Sequence, residues 1–171
     1  MKNSAVQNKV IWITGASGGI GEALARELAA DGARLVLSAR RQSELQRVRA
    51  SLANSTTHVL LPLDITDATA VTNAIGTIQQ QIGGLDWLIN NAGIKKDNSI
   101  LFQPEKEIDL VIQVNLKAPI LISKTALKIF SQKKAGVIIN VSSIVGQTGN
   151  AFQSVYAATK AGMVAFSKSL A

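Results

Sequence analysis

The chain has 171 residues, a length that suits one domain able to bury a core without disulfides or metals. Hydrophobic residues make up 47% and charged residues 17%, which excludes disordered and fibrous classes and predicts a large aliphatic core. Cysteine is absent, which removes disulfide frameworks, thiolate metal sites and a cysteine nucleophile together and makes the cytoplasm the default compartment. The net charge of +7 is spread in singles and pairs with little aromatic interleaving, so it predicts anionic small ligands or an acidic partner rather than nucleic acid.

The residues ahead of the first apolar run are too few and too polar for a secretory signal. Elsewhere no stretch approaches the about 18 consecutive apolar residues of a membrane span, so neither export nor anchoring is expected. Apolar runs bounded by Gly, Asp or Asn then alternate with segments of helical period, the pattern of repeated β-α units around a buried parallel sheet. Strands are expected at 9–14, 34–38, 58–63, 85–89 and 136–142. Helices are expected at about 19–31, 42–53, 67–82, 105–133 and from about 154 onward. Polar loops fall at 54–57 and 97–99. Right-handed crossovers then assemble residues 1–171 into one α/β domain, a doubly wound parallel sheet of Rossmann type in the order 3-2-1-4-5, with helices on both faces.

The first strand runs into Thr14-Gly15-Ala16-Ser17-Gly18-Gly19-Ile20-Gly21, and a helical pattern follows at once. Glycines at 15, 19 and 21 permit a tight turn and close backbone approach, and the helix start offers free amides and a positive dipole end. A pyrophosphate is expected there, although a ligand-free turn has the same composition. The spacing departs from the general G-x-G-x-x-G fingerprint. Preceded by Thr it is T-G-x3-G-x-G, the pattern of the short-chain dehydrogenase/reductase family, which the chain resembles along its whole length.

That resemblance assigns roles to further positions. Strand two ends Leu37-Ser38-Ala39-Arg40-Arg41, with Ala39 where NAD-preferring relatives have an acid. A guanidinium pairs bidentately with a phosphate, so Arg40, assisted by Arg41 and Ser17, implies NADP(H) rather than NAD. The alternative is two solvated cations at a helix start, where they oppose the dipole. Asp64 matches the family's adenine-contacting acid, or is a turn or cap residue. Asn90-Asn91-Ala92-Gly93 matches its N-N-A-G segment, in which the Asn side chains stabilise the sheet edge and the small residues admit the cofactor, with Asn91, Ala92 and Gly93 bordering it, though any tight turn could read the same way.

Tyr156 and Lys160 stand four apart, on one face of a helix, and Ser143 lies thirteen residues before Tyr156. Ser-x12-Tyr-x3-Lys is the family's catalytic signature, completed by an Asn that matches Asn115. A carbonyl that receives hydride needs a proton, which a phenol can supply, and an adjacent ammonium eases its release. The resemblance thus implies Tyr156 as acid/base and Lys160 as its activator and ribose ligand. It implies Ser143 as the hydrogen-bond donor to the substrate oxygen, and Asn115 as a helix-interrupting member of a proton relay. Taken singly, Tyr-x3-Lys is a common helical pair and Ser143 a strand-end cap. His58 opens strand three and is expected to be structural; Trp12 and Trp87 are expected in the core.

Ala171 falls inside the last helical pattern, whereas complete relatives continue through a sixth strand, a nicotinamide-facing segment, a substrate loop and a seventh strand. The expectation is a C-terminally truncated fold whose fifth strand is an exposed apolar edge. LVLSARR and LPLDITD resemble membrane-associated reductases of vertebrates within the family. The stretch 143–171 resembles 3-oxoacyl-(acyl-carrier-protein) reductases. The implied substrate is therefore a carbonyl or secondary alcohol, with a carrier-bound 3-oxoacyl group as the leading class, and the implied assembly is a homodimer or homotetramer. The competing expectation is an inactive NADP-binding or oligomerisation module.

Overall fold

Val10–Thr14 (β1) is buried at every position, which requires a strand covered on both faces. In the computed structural model, which describes residues 5–171, it occupies the centre of a five-stranded parallel sheet. The chain continues through Gly19–Ala30 (α1), Arg34–Ala39 (β2), Gln42–Ala50 (α2), Val59–Pro62 (β3), Ala68–Ile82 (α3) and Trp87–Asn90 (β4). Next come Glu105–Ile112 (α4), a π-helical turn at Gln113–Lys117, Ala118–Lys133 (α5), Val137–Asn140 (β5), Val145–Thr148 (α6) and Ser154–Leu170 (α7). The strand order β3-β2-β1-β4-β5 is the expected one. The polar N-terminal stretch read as lacking a leader falls partly on residues 1–4, outside the described residues.

Alternation along the strands builds two cores, one per face. Trp12, Val36 and Leu88 meet Val71, Ile75 and Ile78 of α3 and Ile122, Ala126 and Ile129 of α5. Ile11, Ile13, Leu35, Leu37 and Ile89 meet Ala25 and Ala29 of α1 and Leu45 and Val48 of α2. Because α1 and α2 lie over β1, β2 and β3 and reach only Ile89 at the end of β4, the start of β4 and most of β5 are less covered on that face. Trp87 is therefore only half-buried, a correction to its expected core position, and its register partner Val137 and nearby Ile139 are exposed. Trp12 is fully buried, and its indole Nε1 donates to Ser38 Oγ at 2.7 Å.

Helix boundaries follow capping chemistry. Asp67 accepts the amides of Thr69 and Ala70 at the start of α3, and Gly83, with φ of 86°, ends it in a left-handed cap. The expected single helix over 105–133 is one continuous run broken in phase by the π turn. By length and composition that run, which holds an 18-residue window of mean hydropathy 1.3, could cross a bilayer; here Ala118, Ile122, Ala126, Ile129 and Phe130 lie in the core. The polar loop at 54–57 contains a turn of 3-10 helix at Ser55–Thr57, and a second, unanticipated one spans Ile100–Phe102.

His58, just ahead of β3, is 3% exposed. Its Nδ1 accepts from the Leu35 amide at 3.2 Å, so Nε2 carries the proton and donates to the Ala53 carbonyl at 2.8 Å. Burial pushes its pKa down, and the Arg49 charge adds to that against the Ala53 bond.

Two outcomes are expected. Ser38→Ala strands the buried Trp12 N–H and should cost about 1–3 kcal/mol in urea unfolding. His58 is the sole histidine, and the unfolded chain binds its proton near pH 6.5 while the folded chain does so only at lower pH. Stability should therefore be full above about pH 6.5 and fall as the pH drops below it, a slope that is absent between about pH 6.5 and 5 in His58→Ala.

Candidate active site

The turn after β1 is locked to the exit of β4. Thr14 Oγ1 accepts the amides of Asn91 and Ala92 at 3.1 and 3.2 Å, and Asn91 Nδ2 donates to the carbonyls of Thr14 and Gly15 at 3.0 and 3.2 Å. A β-carbon on Gly21 would collide with the Gly15 carbonyl oxygen, and Gly15, at φ of 68°, would press one into Ala92 Cα at 2.8 Å. The glycines at 15 and 21 are thus required by contact as well as by conformation. The side chain of Asn91 is spent on positioning the turn.

The α1 end of the turn is open. Gly18 and Gly19 have no atom within 4 Å of where a β-carbon would stand, and Ile20 is 61% exposed. Such a cradle, at a helix start with free amides, fits a pyrophosphate. Ser17 is half-buried; its carbonyl accepts Arg47 Nη2 at 3.3 Å. The sequence reasoning missed Arg47. Its signal was an arginine one and a half turns into α2 with acids at Glu44 and Glu22, a pattern read only after the fold brings α2 beside α1.

At the ends of β2 and β3, Arg40 and Arg41 are exposed, and Arg41 begins α2 without a side-chain cap. Asp64 is also exposed. Its Oδ1 accepts Thr66 N and Oγ1 at 2.9 and 2.8 Å, and these bonds, with the Arg40 charge nearby, hold its carboxyl below the usual range. Asp64 is therefore the turn residue, and the cap of α3 is Asp67.

The π turn swings Asn115 inward, 1% exposed. Its Oδ1 accepts Ile94 N–H at 2.8 Å and its Nδ2 donates to Ile94 O at 2.7 Å, clasping the chain just past Gly93, with Thr159 Oγ1 a further acceptor at 3.3 Å. Gly93 lies beside both the π turn and α7: a β-carbon there would stand 3.3 Å from Asn115 Oδ1 and 3.6 Å from Lys160 Nζ. Lys160 is buried; its Nζ donates to Val141 O at 2.8 Å and lies 5.6 Å from the Tyr156 ring centroid. Burial holds the Lys160 ammonium below its usual pKa.

Ser142 donates to the Lys160 carbonyl at 3.0 Å, so its hydroxyl pins α7 to the end of β5. The Ser143 hydroxyl is held only by a long bond, 3.4 Å, from Val145 N–H. The structure thus brings together Gly93, Asn115, Tyr156 and Lys160, places Ser143 just past the end of β5, and bonds its hydroxyl to none of those four among the described residues. A ladder that the sequence reasoning also missed runs beneath: Asn90 Nδ2 donates to Ser123 Oγ at 3.1 Å and Asn140 Oδ1 at 2.8 Å, and Asn140 Nδ2 to Ser167 Oγ at 2.9 Å. Two asparagines closing apolar strands at matched register were its signal. A groove of about 370 Å³ beside β5, lined by Leu127, Phe130, Val137 and Ser167 among others, includes none of the candidate site residues.

The family model described as short chain dehydrogenase matches residues 9–171. The chain is 36% identical over 165 residues to the 3-oxoacyl-[acyl-carrier-protein] reductase FabG of Escherichia coli, covering 96% of this chain and 67% of that one. It is 40% identical over 159 residues to nodulation protein G of a Rhizobium strain, covering 93% and 64%. A crystal structure described as a short-chain alcohol dehydrogenase from Sinorhizobium meliloti superposes with a TM-score of 0.92 at 30% identity, covering 96% of this chain and 66% of that one. The chain thus spans about two thirds of the length of these relatives. With the glycine cradle, the inward Asn115 and the Tyr156–Lys160 pair on one sheet edge, these matches establish that the chain belongs to the short-chain dehydrogenase family.

Proposed function

We propose that the chain carries the cofactor-binding and proton-transfer parts of a cytoplasmic NADP(H)-dependent reductase. Its leading substrate is a 3-oxoacyl group held by an acyl-carrier protein. The observation that carries the reading is the Lys160 ammonium 5.6 Å from the Tyr156 ring, with Asn115 and the exposed Gly93 beside it at the C-terminal side of the sheet. Ligands of open α/β sheets bind on that side.

Bound NADPH would supply the hydride, and the chain's own groups manage the proton and the charge. Tyr156 Oη donates its proton to the substrate oxygen as the carbonyl carbon is reduced, and the Lys160 cation stabilises the phenolate that remains. Ser143, whose hydroxyl is only loosely engaged, donates a hydrogen bond to the same oxygen as charge builds on it. Asn115 holds the Ile94 backbone and so keeps Gly93 open beside Lys160, and it relays protons from Lys160 to solvent. The amides of the glycine turn would hold the pyrophosphate, Arg40 and Arg41 would pair with the 2′-phosphate, and Asp64, Ala92 and Ile20 would border the dinucleotide.

Support for the substrate class comes from the similarity to FabG over nearly the whole chain and from a basic surface suited to an acidic carrier. Exposed Leu110 and Ile112 at the end of α4 support association of subunits as dimers or tetramers.

Tyr156→Phe should lower kcat/KM for NADPH-dependent ketone reduction by about 100- to 10,000-fold, followed as loss of NADPH absorbance; an unchanged rate rejects the mechanism. Arg40→Ala should raise KM for NADPH about tenfold to a hundredfold and leave NADH unaffected. Equal losses with both cofactors would reject the NADP assignment.

A further inference from the structure

The glycine turn has a bare tip. At its base, Ala16 N–H donates to Ser38 O at 3.0 Å, and at its far side Glu22 N–H donates to Gly18 O at 3.2 Å. Between those bonds, Gly18 and Gly19 have open space around them, so packing does not hold them. What ties this segment to a neighbouring helix is Arg47, whose Nη2 donates to the Ser17 carbonyl at 3.3 Å.

Arg47 is itself held in place. Nη1 and Nη2 reach the two Glu22 carboxylate oxygens at 3.1 and 2.8 Å, and Nε reaches Glu44 at 3.0 Å. Glu22 also receives Arg26 Nη2 at 2.7 Å. These hydrogen bonds, from Arg47 first and then Arg26, bring the Glu22 carboxyl down to about 2, so it stays charged across the physiological range. With two carboxylates on it, Arg47 is a balanced charge. Arg40 and Arg41 make no ion pair among the described residues and are the cations free for a phosphate.

A peptide unit is planar and trans, so its carbonyl and the following N–H point in opposite directions. Holding the Ser17 carbonyl towards α2 therefore fixes the direction of the Gly18 N–H, one of the amides at the start of α1. Gly18 and Gly19 have wide backbone freedom, and without that bond this peptide is free to rotate.

We propose that Arg47, clamped between Glu22 and Glu44, is a positioning residue: by holding the Ser17 carbonyl it sets the amides of the glycine turn for the pyrophosphate of a dinucleotide. The inference rests on the dinucleotide-binding reading above and is independent of whether the 2′-phosphate is preferred.

The test is titration of the chain with NADPH and with NADH, followed by nicotinamide fluorescence, for the wild type, Arg47→Gln, Glu22→Gln and the double variant. Each single substitution should weaken both cofactors about tenfold. The double variant should bind no more weakly than Arg47→Gln, because both act through one bond to Ser17. The emission of bound cofactor at saturation should match wild type, since the nicotinamide end is untouched, whereas general structural damage would change it. Wild-type affinity in both single variants overturns the proposal. So does tighter NADPH binding by Glu22→Gln, which would make Arg47 a direct phosphate ligand released from a competitor. If the wild type binds NADH but not NADPH, the NADP assignment falls and Arg47 is judged on NADH; if it binds neither, both readings fall.

Discussion

Thr14 sits where the strand order reverses, and its hydroxyl accepts two amides from the exit of β4 while Asn91 returns two bonds to the carbonyls of Thr14 and Gly15. Every candidate group is placed relative to this junction. On one side the glycine turn leaves β1 with Gly21 packed on the Gly15 carbonyl. On the other, the chain passes Gly93 into the clasp of Asn115, which is inward-facing because a single π turn shifts the phase of one long helix. Were the two strand ends to slide, the cradle and the proton-transfer groups would part.

The polar ladder from Ser123 through Asn90 and Asn140 to Ser167 ties α5, β4, β5 and α7 in one line beneath the site. It costs something: Asn90 Oδ1 is buried without a partner among the described residues, a loss of about 1–3 kcal/mol. In exchange, strands that are otherwise aliphatic have a single register that satisfies the amides, and α7, which carries Tyr156 and Lys160, is held to the sheet by hydrogen bonds at both Ser142 and Ser167.

Electrostatics follow the same division of labour. Cations near the glycine turn are of two kinds: Arg26 and Arg47 are paired with Glu22 and Glu44, while Arg40 and Arg41 make no ion pair among the described residues. A diffuse net charge of +7 would not predict this contrast, which arises only where α1 and α2 lie side by side on one face of the sheet. Lys160 is a third case, a buried ammonium satisfied by a backbone carbonyl and the Tyr156 ring.

Sequence periodicity determined the strand count, because buried parallel strands read as aliphatic runs and glycine, aspartate and asparagine punctuate them, and right-handed crossovers then set the order and fold. Local spacing alone also put Tyr156 and Lys160 on one helical face and glycines where backbone must approach backbone. Only the tertiary structure decided what spacing cannot carry. It spent the Ser142 hydroxyl on the Lys160 carbonyl, and it separated Asp67, the cap, from Asp64, the turn. It left Trp87 half-exposed because the helices on its side cover β1 to β3 and reach only the Ile89 end of β4. It brought Arg47 to the Ser17 carbonyl across 30 residues of chain. These are contacts between elements distant in sequence, and their partners are set by how helices settle on a twisted sheet, which no periodicity within one element records.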